Sequence, residues 1–148
     1  MSITASRLLY PLVILSLTLS GFLSACSSEE AVHSFPMASM SEMPTIVQEE
    51  PVSVQQAYQF AVANPDVLEK LPCYCGCGEM GHTSNYSCYV IDEAPDNRIV
   101  FDYHATGCSI CVDITQDAMR MLDEGKTLPE IRAYVDQTYA KFGPSNIP

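Results

Sequence analysis

The stretch PCYCGCG occupies residues 72–78 and decides what kind of domain this chain forms. Cys73, Cys75 and Cys77 lie two residues apart, so their thiols project to the same side of an extended backbone. A disulfide within such a pair would close a small, strained ring. The intervening glycines let the backbone bend around a bound ion without a side-chain clash. This pattern predicts an irregular, cysteine- and glycine-rich loop that presents its thiols to one point.

Other residues with metal-binding side chains follow this loop along the chain. Cys108 and Cys111 form a CxxC motif that opens a predicted helix. Thiols in that position face the positive end of the helix dipole, which lowers their pKa and favours the thiolate form. Each nearby histidine offers a ring nitrogen, with a structural role as the alternative. We expect a soft metal ion to be bound by the following residues: Cys73, Cys75, Cys77, Cys88, Cys108, Cys111, His82 and His104.

Two metals fit such a set of ligands. Two or three thiolates, with histidine as an accessory ligand, hold Cu(I) well. Four thiolates in a tetrahedral arrangement suit Zn²⁺, and a knuckle-like CGCG at residues 75–78 together with a CxxC motif is typical of structural zinc sites. The presence of more than four sulfurs and a predicted export signal favour copper, and zinc is the alternative.

The cysteine count also allows two other classes of protein. Six cysteines remain besides Cys26, and an even number in an exported chain is typical of a domain cross-linked by disulfides, here three. Such a structural module is the main alternative to a metal site. A thiol–disulfide redox protein using Cys108 and Cys111 has less support, since no βα unit precedes the motif. The sequence shows no Ser/His/Asp arrangement, carboxylate pair or phosphate-binding loop, so we predict no enzyme activity.

The N-terminus has the organisation of an export signal. Arg7 precedes a largely apolar run over residues 8–23, which is short for a membrane span of about 20 residues. Residues 23–26 read LSAC and resemble a bacterial lipobox, in which the cysteine receives a diacylglyceryl group before cleavage. We expect a lipoprotein signal peptide over residues 1–25 and a lipid on Cys26. The protein would then be extracytoplasmic and anchored to the cell membrane, or to the outer membrane where the host has one.

The chain is strongly acidic, with a formal net charge of −11. All 18 acidic residues follow residue 25. Such a surface repels phosphate backbones, which excludes nucleic acid as a partner, and it also repels anionic lipid head groups. Acyl chains on the cysteine would then hold the protein at the membrane. A protein that receives or supplies the metal is the other partner that this hypothesis implies.

Composition divides the rest of the chain into a tether and a domain. Residues 26–52 are rich in Ser, Glu, Met and Pro and lack Lys and Arg, so we predict a flexible acidic tether there. Its thioethers at Met37, Met40 and Met43 suit Cu(I), although a linker that contains methionines by chance is the preferred interpretation. Residues 53–148 form the predicted cysteine-rich domain.

We predict a mostly helical domain, α+β at most, with three to four helices around the cysteine-rich loop. Ser53 and Gln56 fit a capping box at the start of the first helix, and Asn64-Pro65 restarts it. The other predicted elements are strands at 86–91 and 99–103 joined by a turn at 95–97, a helix at 109–124 with Ile110, Ile114, Ala118 and Leu122 facing inward, and a helix capped by Thr127 and Glu130 with Leu128, Ile131, Val135 and Phe142 facing inward.

The spacing of these cysteines and histidines resembles that of one known family. The resemblance covers about Ser53 to the C-terminus, together with the lipobox. It implies a related fold and little mechanism, so the metal hypothesis rests on the residues themselves. The features similar to those of the bacterial PCYCGC-motif lipoproteins are the string PCYCGCG, the pair Gly81-His82, Cys88, His104 and the CxxC motif.

Overall fold

The computed structural model describes residues 33–93 and 98–147 of the protein. Within these ranges the chain forms one mostly helical domain with a small antiparallel sheet, as predicted. No helix in this part of the chain has the length and apolarity needed to cross a membrane. The predicted signal peptide, Cys26 and the predicted turn at 95–97 lie outside the described ranges. The elements are α1 (Thr45–Gln48), α2 (Val52–Ala63), α3 (Pro65–Leu68), β1 (Val90–Glu93), β2 (Ile99–Phe101), α4 (His104–Gly107), α5 (Ser109–Asp123) and α6 (Leu128–Tyr139).

The core of the domain lies between α2 and α5. Tyr58 and Phe60 of α2 and Ile114 and Ala118 of α5 are fully buried. Burial contributes about 1.5–3 kcal/mol for each large apolar side chain, which makes this contact a main source of stability. The cysteine-rich segment lies between α2 and α5 in the sequence, so the packed pair of helices fixes both of its ends.

The buried face of α5 is wider than the predicted apolar stripe. Ile110 and Leu122, which were expected to complete that stripe, are only partly buried. Cys111, Thr115 and Met119 are buried instead. The reason is that α5 packs against the cysteine-rich loop as well as against α2, so its contact surface extends around the helix.

The start of α2 differs from the predicted capping box. The N-cap residue is Pro51, and Ser53 lies inside the first turn, so its predicted pairing with Gln56 is wrong. The φ of Pro51 is −54°, which suits entry into a helix directly from the preceding turn. Gln55 closes this junction, because its side-chain amide donates to the carbonyl oxygen of Glu50 at 2.7 Å.

The caps of the closing helices agree with prediction. Thr127 and Glu130 form the capping box of α6, in which the Glu130 carboxylate accepts from the backbone N–H of Thr127 at 2.8 Å. Gly125 follows α5 with a left-handed φ of 76°, a conformation that glycine adopts without strain. These local signals therefore determine where α5 ends and α6 begins.

The inward face of α6 agrees with prediction only within the helix. Ile131 and Val135 are fully buried, as expected. Phe142, predicted to face inward, is 53% exposed. Because α6 ends at Tyr139, helical periodicity no longer sets the direction of a side chain at position 142.

The two predicted strands pair, but their bounds differ from prediction: β1 begins at Val90 rather than at residue 86, and β2 ends at Phe101 rather than at residue 103. β1 pairs antiparallel with β2, and Val90 lies opposite Phe101. Tyr86–Cys88, predicted to begin the strand, forms a 3₁₀ turn that buries Cys88. The hairpin returns the chain to Asp102, directly before α4 and beside the cysteine-rich loop.

The segment before α2 belongs to the domain. A flexible tether was predicted for residues 26–52, but Met43 and Val47 are buried in the core. Phe35 packs edge-on against Phe60 with ring centroids 4.9 Å apart. The tether prediction is therefore wrong from residue 33 onward, because apolar side chains of this segment pack against the core.

Side-chain amides from α2 and from the residue that follows it bind the backbone of the segment before α2. Gln59 donates to the carbonyl of Ala38 at 2.8 Å, and Asn64 donates to the carbonyl of Pro36 at 2.9 Å. Asn64 occupies the predicted N-cap position of α3, but its side chain is used here rather than for capping. These bonds satisfy backbone carbonyls that an ordered segment without regular structure would otherwise leave unpaired.

Candidate metal centre

The cysteine-rich loop turns sharply at two glycines. Gly76 and Gly81 have left-handed φ values of 84° and 91°, and the short 3₁₀ helix Cys77–Met80 lies between them. This path buries Cys73 and Cys77 and leaves Cys75 partly exposed. The predicted irregular loop is therefore confirmed, and both of its sharp turns lie at glycines with a left-handed φ.

Asn146 holds this loop from the C-terminal tail. Its side-chain oxygen accepts from the backbone N–H of Cys73 at 2.7 Å, and its side-chain amide donates to the carbonyls of His82 and Ser84 at 3.2 and 3.1 Å. The backbone N–H of Asn146 donates to the carbonyl of Cys73 at 3.2 Å. No sequence motif indicated this residue, because its partners lie far away in the chain.

The CxxC motif brings two further thiols to the loop. Cys108 is the N-cap residue of α5, and Cys111 lies in its first turn, as predicted. Cys111 is fully buried, whereas Cys108 is partly exposed. The start of α5 thus forms the second wall of the site, facing the loop.

The sulfur atoms converge. The Sγ of Cys73 lies 3.2 Å from that of Cys111 and 3.3 Å from that of Cys75. The Sγ of Cys88 lies 3.0 Å from that of Cys111 and 4.0 Å from that of Cys77. A disulfide bond has a length of about 2.05 Å, so these are neighbouring thiols rather than bonded pairs. All six described cysteines are free, in contrast to the alternative of a domain cross-linked by three disulfides.

Both predicted histidines lie against the thiols. The Nε2 of His104 is 3.5 Å from the Sγ of Cys75. The rings of His82 and His104 meet edge to face, with centroids 5.1 Å apart. Asp102 contacts both residues: one carboxylate oxygen lies 3.3 Å from His82 Nε2, and the other accepts from the backbone N–H of His104 at 2.6 Å.

Eight donors therefore form one continuous cluster, and every predicted metal ligand is among them. The ligand atoms fall into four overlapping sets, and within each set all of them lie within 4.8 Å of one another. Of the neighbouring methionines, Met80 is 58% exposed and Met119 is buried in the core. The sets are Cys75, His104, Cys108 and Cys111; Cys77, His82, Cys88 and His104; Cys73, Cys88 and Cys111; and Cys73, Cys75 and Cys77.

The thiols of this cluster do not ionise equally. Hydrogen bonds with Cys111 and Cys88 hold the pKa of Cys73 well below its ordinary value. Hydrogen bonds with Cys73 and Cys88, together with burial, raise the pKa of Cys111. Burial is also the main cause that raises the pKa of Cys75 and of Cys77. The helix dipole was expected to lower the pKa of Cys111, whereas hydrogen bonds with neighbouring thiols and burial raise it.

A buried polar network fixes the position of Cys111. Its carbonyl oxygen accepts from the hydroxyl of Tyr89 at 2.8 Å and from the side-chain amide of Asn85 at 3.2 Å. Thr115 joins the same network, with its hydroxyl 2.7 Å from that of Tyr89 and donating to the Asn85 side-chain oxygen at 2.8 Å. Such a fully paired network holds the first turn of α5 rigidly against the loop. The sequence pattern did not identify these three residues.

Comparison with known proteins places the chain in a family. No curated protein and no solved structure matches it. A family model described as "Protein of unknown function with PCYCGC motif" matches residues 13–146. Since this match covers most of the chain and includes the whole metal-capable cluster, the chain belongs to the PCYCGC-motif family.

Proposed function

We propose that this protein is an extracytoplasmic lipoprotein that binds Cu(I) through its clustered cysteines and captures, buffers or delivers the ion. The convergence of six free thiols, five of which have a neighbouring sulfur at 3.0–4.0 Å, carries the proposal. Sulfur donors suit soft ions, and four of the six thiols are buried.

The geometry supports copper in particular through its sulfur triangle. The Sγ atoms of Cys73, Cys75 and Cys111 are separated by 3.2, 3.3 and 3.7 Å. Three thiolates around one point are a suitable coordination for Cu(I). Cys75 and Cys108 are partly exposed, which gives an incoming or departing ion a route from solvent and suits transfer better than permanent burial.

The location outside the cytoplasm is supported by the sequence. The apolar run at 8–23 and the LSAC at 23–26 favour export and lipid attachment at Cys26. The acyl chains would be the contact with the membrane, and the net charge of −11 favours cations over nucleic acid as ligands. A protein that exchanges the ion with this chain is the partner that delivery requires.

Structural zinc is the second candidate, and one observation favours it. Cys75, Cys108, Cys111 and His104 form a set of three cysteines and one histidine. That composition is common in structural zinc sites.

Metal titration distinguishes these functions. The reduced, metal-free full chain is titrated anaerobically with Cu(I) and, separately, with Zn²⁺, each against a competing chelator. We expect Cu(I) binding to survive competition and Zn²⁺ to be lost. Replacing Cys75 and Cys77 together by serine should weaken Cu(I) binding strongly, because three of the four ligand sets lose a thiol. The matched control is Met80→Leu, which changes an exposed sulfur in the same loop and should bind as the parent does.

Two results would contradict the copper proposal. Retention of Zn²⁺ with loss of Cu(I) would favour the structural zinc site. Failure of both metals, together with no free thiols in the protein as purified, would identify the cross-linked structural module instead.

A further inference from the structure

His82 carries a buried nitrogen that the protein itself does not pair. The side chain is only 9% exposed, and its Nδ1 has no hydrogen-bond partner. Among the buried side-chain nitrogens and oxygens of the described residues, this is the single unpaired one. Buried polar atoms are nearly always paired, so an exception of this kind calls for a ligand.

The other ring nitrogen of His82 shows what kind of ligand is expected. Its Nε2 lies 3.3 Å from a carboxylate oxygen of Asp102. A histidine that binds metal through one nitrogen typically donates the other N–H to a carboxylate, which fixes the tautomer and leaves the first lone pair free for the ion. His82 has this arrangement, with Nδ1 as the free atom.

The neighbours of His82 complete a set of metal ligands. Cys77, Cys88 and His104 place their ligand atoms within 4.8 Å of that of His82 and of one another. The two sulfurs are 4.0 Å apart, about the separation of two ligands on one tetrahedral ion with metal–sulfur bonds near 2.3 Å. We name Cys77, His82 and Cys88 the inner subsite.

A separate set of ligands lies on the exposed side of the cluster. Cys75, Cys108 and Cys111 share no residue with the inner subsite, and two of the three are partly exposed. We name these three residues the outer subsite. His104 belongs to the four-donor set of each subsite, so it completes one of them at a time.

Cys73 connects the two subsites. It forms one set with Cys88 and Cys111, and another with Cys75 and Cys77, so each set combines residues of both subsites. A thiolate has several lone pairs and can bridge two ions. One tetrahedral ion takes four ligands, and the eight donors present exceed that number.

We propose that the cluster is binuclear, with one Cu(I) in the inner subsite, one Cu(I) in the outer subsite and the Cys73 thiolate bridging them. This inference rests on the proposed function and adds the number of ions and their division among the ligands. It also assigns His82 as a ligand, because Nδ1 then has a bonding partner.

The number of bound ions tests this division. The full chain, purified in detergent, reduced and loaded anaerobically with Cu(I), is weighed by native mass spectrometry. We expect two ions per chain for the parent and for the control Met80→Leu. The double variant Cys77→Ser/His82→Gln should retain one ion, and the double variant Cys75→Ser/Cys108→Ser should also retain one.

X-ray absorption of the loaded parent gives a second measurement that depends on no variant. A metal–metal scattering shell is expected, together with nitrogen among mainly sulfur ligands. The single variant His82→Gln should reduce the nitrogen contribution. Loss of the metal–metal shell is expected in both double variants.

The outcomes separate this inference from the proposed function. A parent that binds one Cu(I) without a metal–metal shell, and a His82→Gln variant that binds as the parent does, would overturn the binuclear centre and leave copper binding intact. A parent that binds no Cu(I) would overturn both.

Discussion

Asn146 lies near the C-terminus, yet its side chain determines the conformation of the cysteine-rich loop. It accepts from the backbone N–H of Cys73 and donates to the carbonyls of His82 and Ser84. Backbone groups in an irregular loop have no ladder to pair with, so they depend on such a side chain.

Replacing Asn146 by alanine should therefore destabilise both the fold and the metal site. Loss of bonds to partly buried backbone groups costs about 1–3 kcal/mol, and we expect the free energy of unfolding to fall by about that amount in denaturant titrations. Cu(I) affinity should fall as well, because Cys73 would lose its support. Gln137→Ala, which removes an exposed side-chain amide from α6, is the matched control. Equal stability of the Asn146 variant and this control would show that the tail does not hold the loop.

The protonation of the thiols predicts the pH dependence of metal binding. The pKa values of Cys75, Cys77 and Cys111 are raised, so these groups hold their protons at neutral pH. A metal must displace these protons, and affinity should therefore weaken as pH falls from about 8 to about 6. Calorimetry in buffers of different ionisation enthalpy should detect more than one proton released per chain. An affinity that does not change over this range would contradict ligation by these thiols.

At the scale of the elements, α1 is one of the contacts that attach the segment before α2 to the domain. Val47 is fully buried, whereas its neighbour Ile46 in the same helix is 48% exposed. A helix of one turn has little stability of its own, so packing of this face holds it in place.

This pair of neighbours tests whether the segment belongs to the fold. We expect Val47→Ala to lower the free energy of unfolding by about 1–3 kcal/mol, because it leaves a cavity in the core. Ile46→Ala should change it by less than about 0.5 kcal/mol. Thermal and denaturant unfolding of the two variants measures the difference. If both variants are as stable as the parent, the segment is a tether after all.

At the scale of the whole molecule, membrane attachment depends on a residue outside the described domain. Cys26 follows the LSA of the lipobox-like sequence. We expect Cys26→Ser to leave an unprocessed and unlipidated precursor, because serine has no thiol for the diacylglyceryl group. Labelling with a radioactive fatty acid and detergent phase partitioning measure this change. Cys108→Ser is the control and should be lipidated normally. A Cys26→Ser chain that still carries acyl groups would contradict the lipoprotein proposal.

Much of the fold follows from short-range patterns. The capping box of Thr127 and Glu130 and the stop at Gly125 are present as predicted, because each acts on backbone groups within a few residues. The hairpin and the CxxC motif at a helix start also agree with prediction. The box predicted at Ser53 is absent because the tertiary position of the preceding segment, ending at Pro51, sets the entry of α2.

The candidate ligands could be predicted from the sequence, but the residues that hold them in position could not. Three closely spaced thiols and a CxxC motif predicted the cluster that the structure brings together, although the same six cysteines also allowed three disulfides. Tertiary structure decided the rest: the convergence of the sulfurs, the lowered pKa of Cys73, the unpaired Nδ1 of His82 and the roles of Asn146 and Tyr89. Each of these depends on contacts between residues far apart in the chain. Local sequence patterns carry no information about such contacts until the core between α2 and α5 has formed.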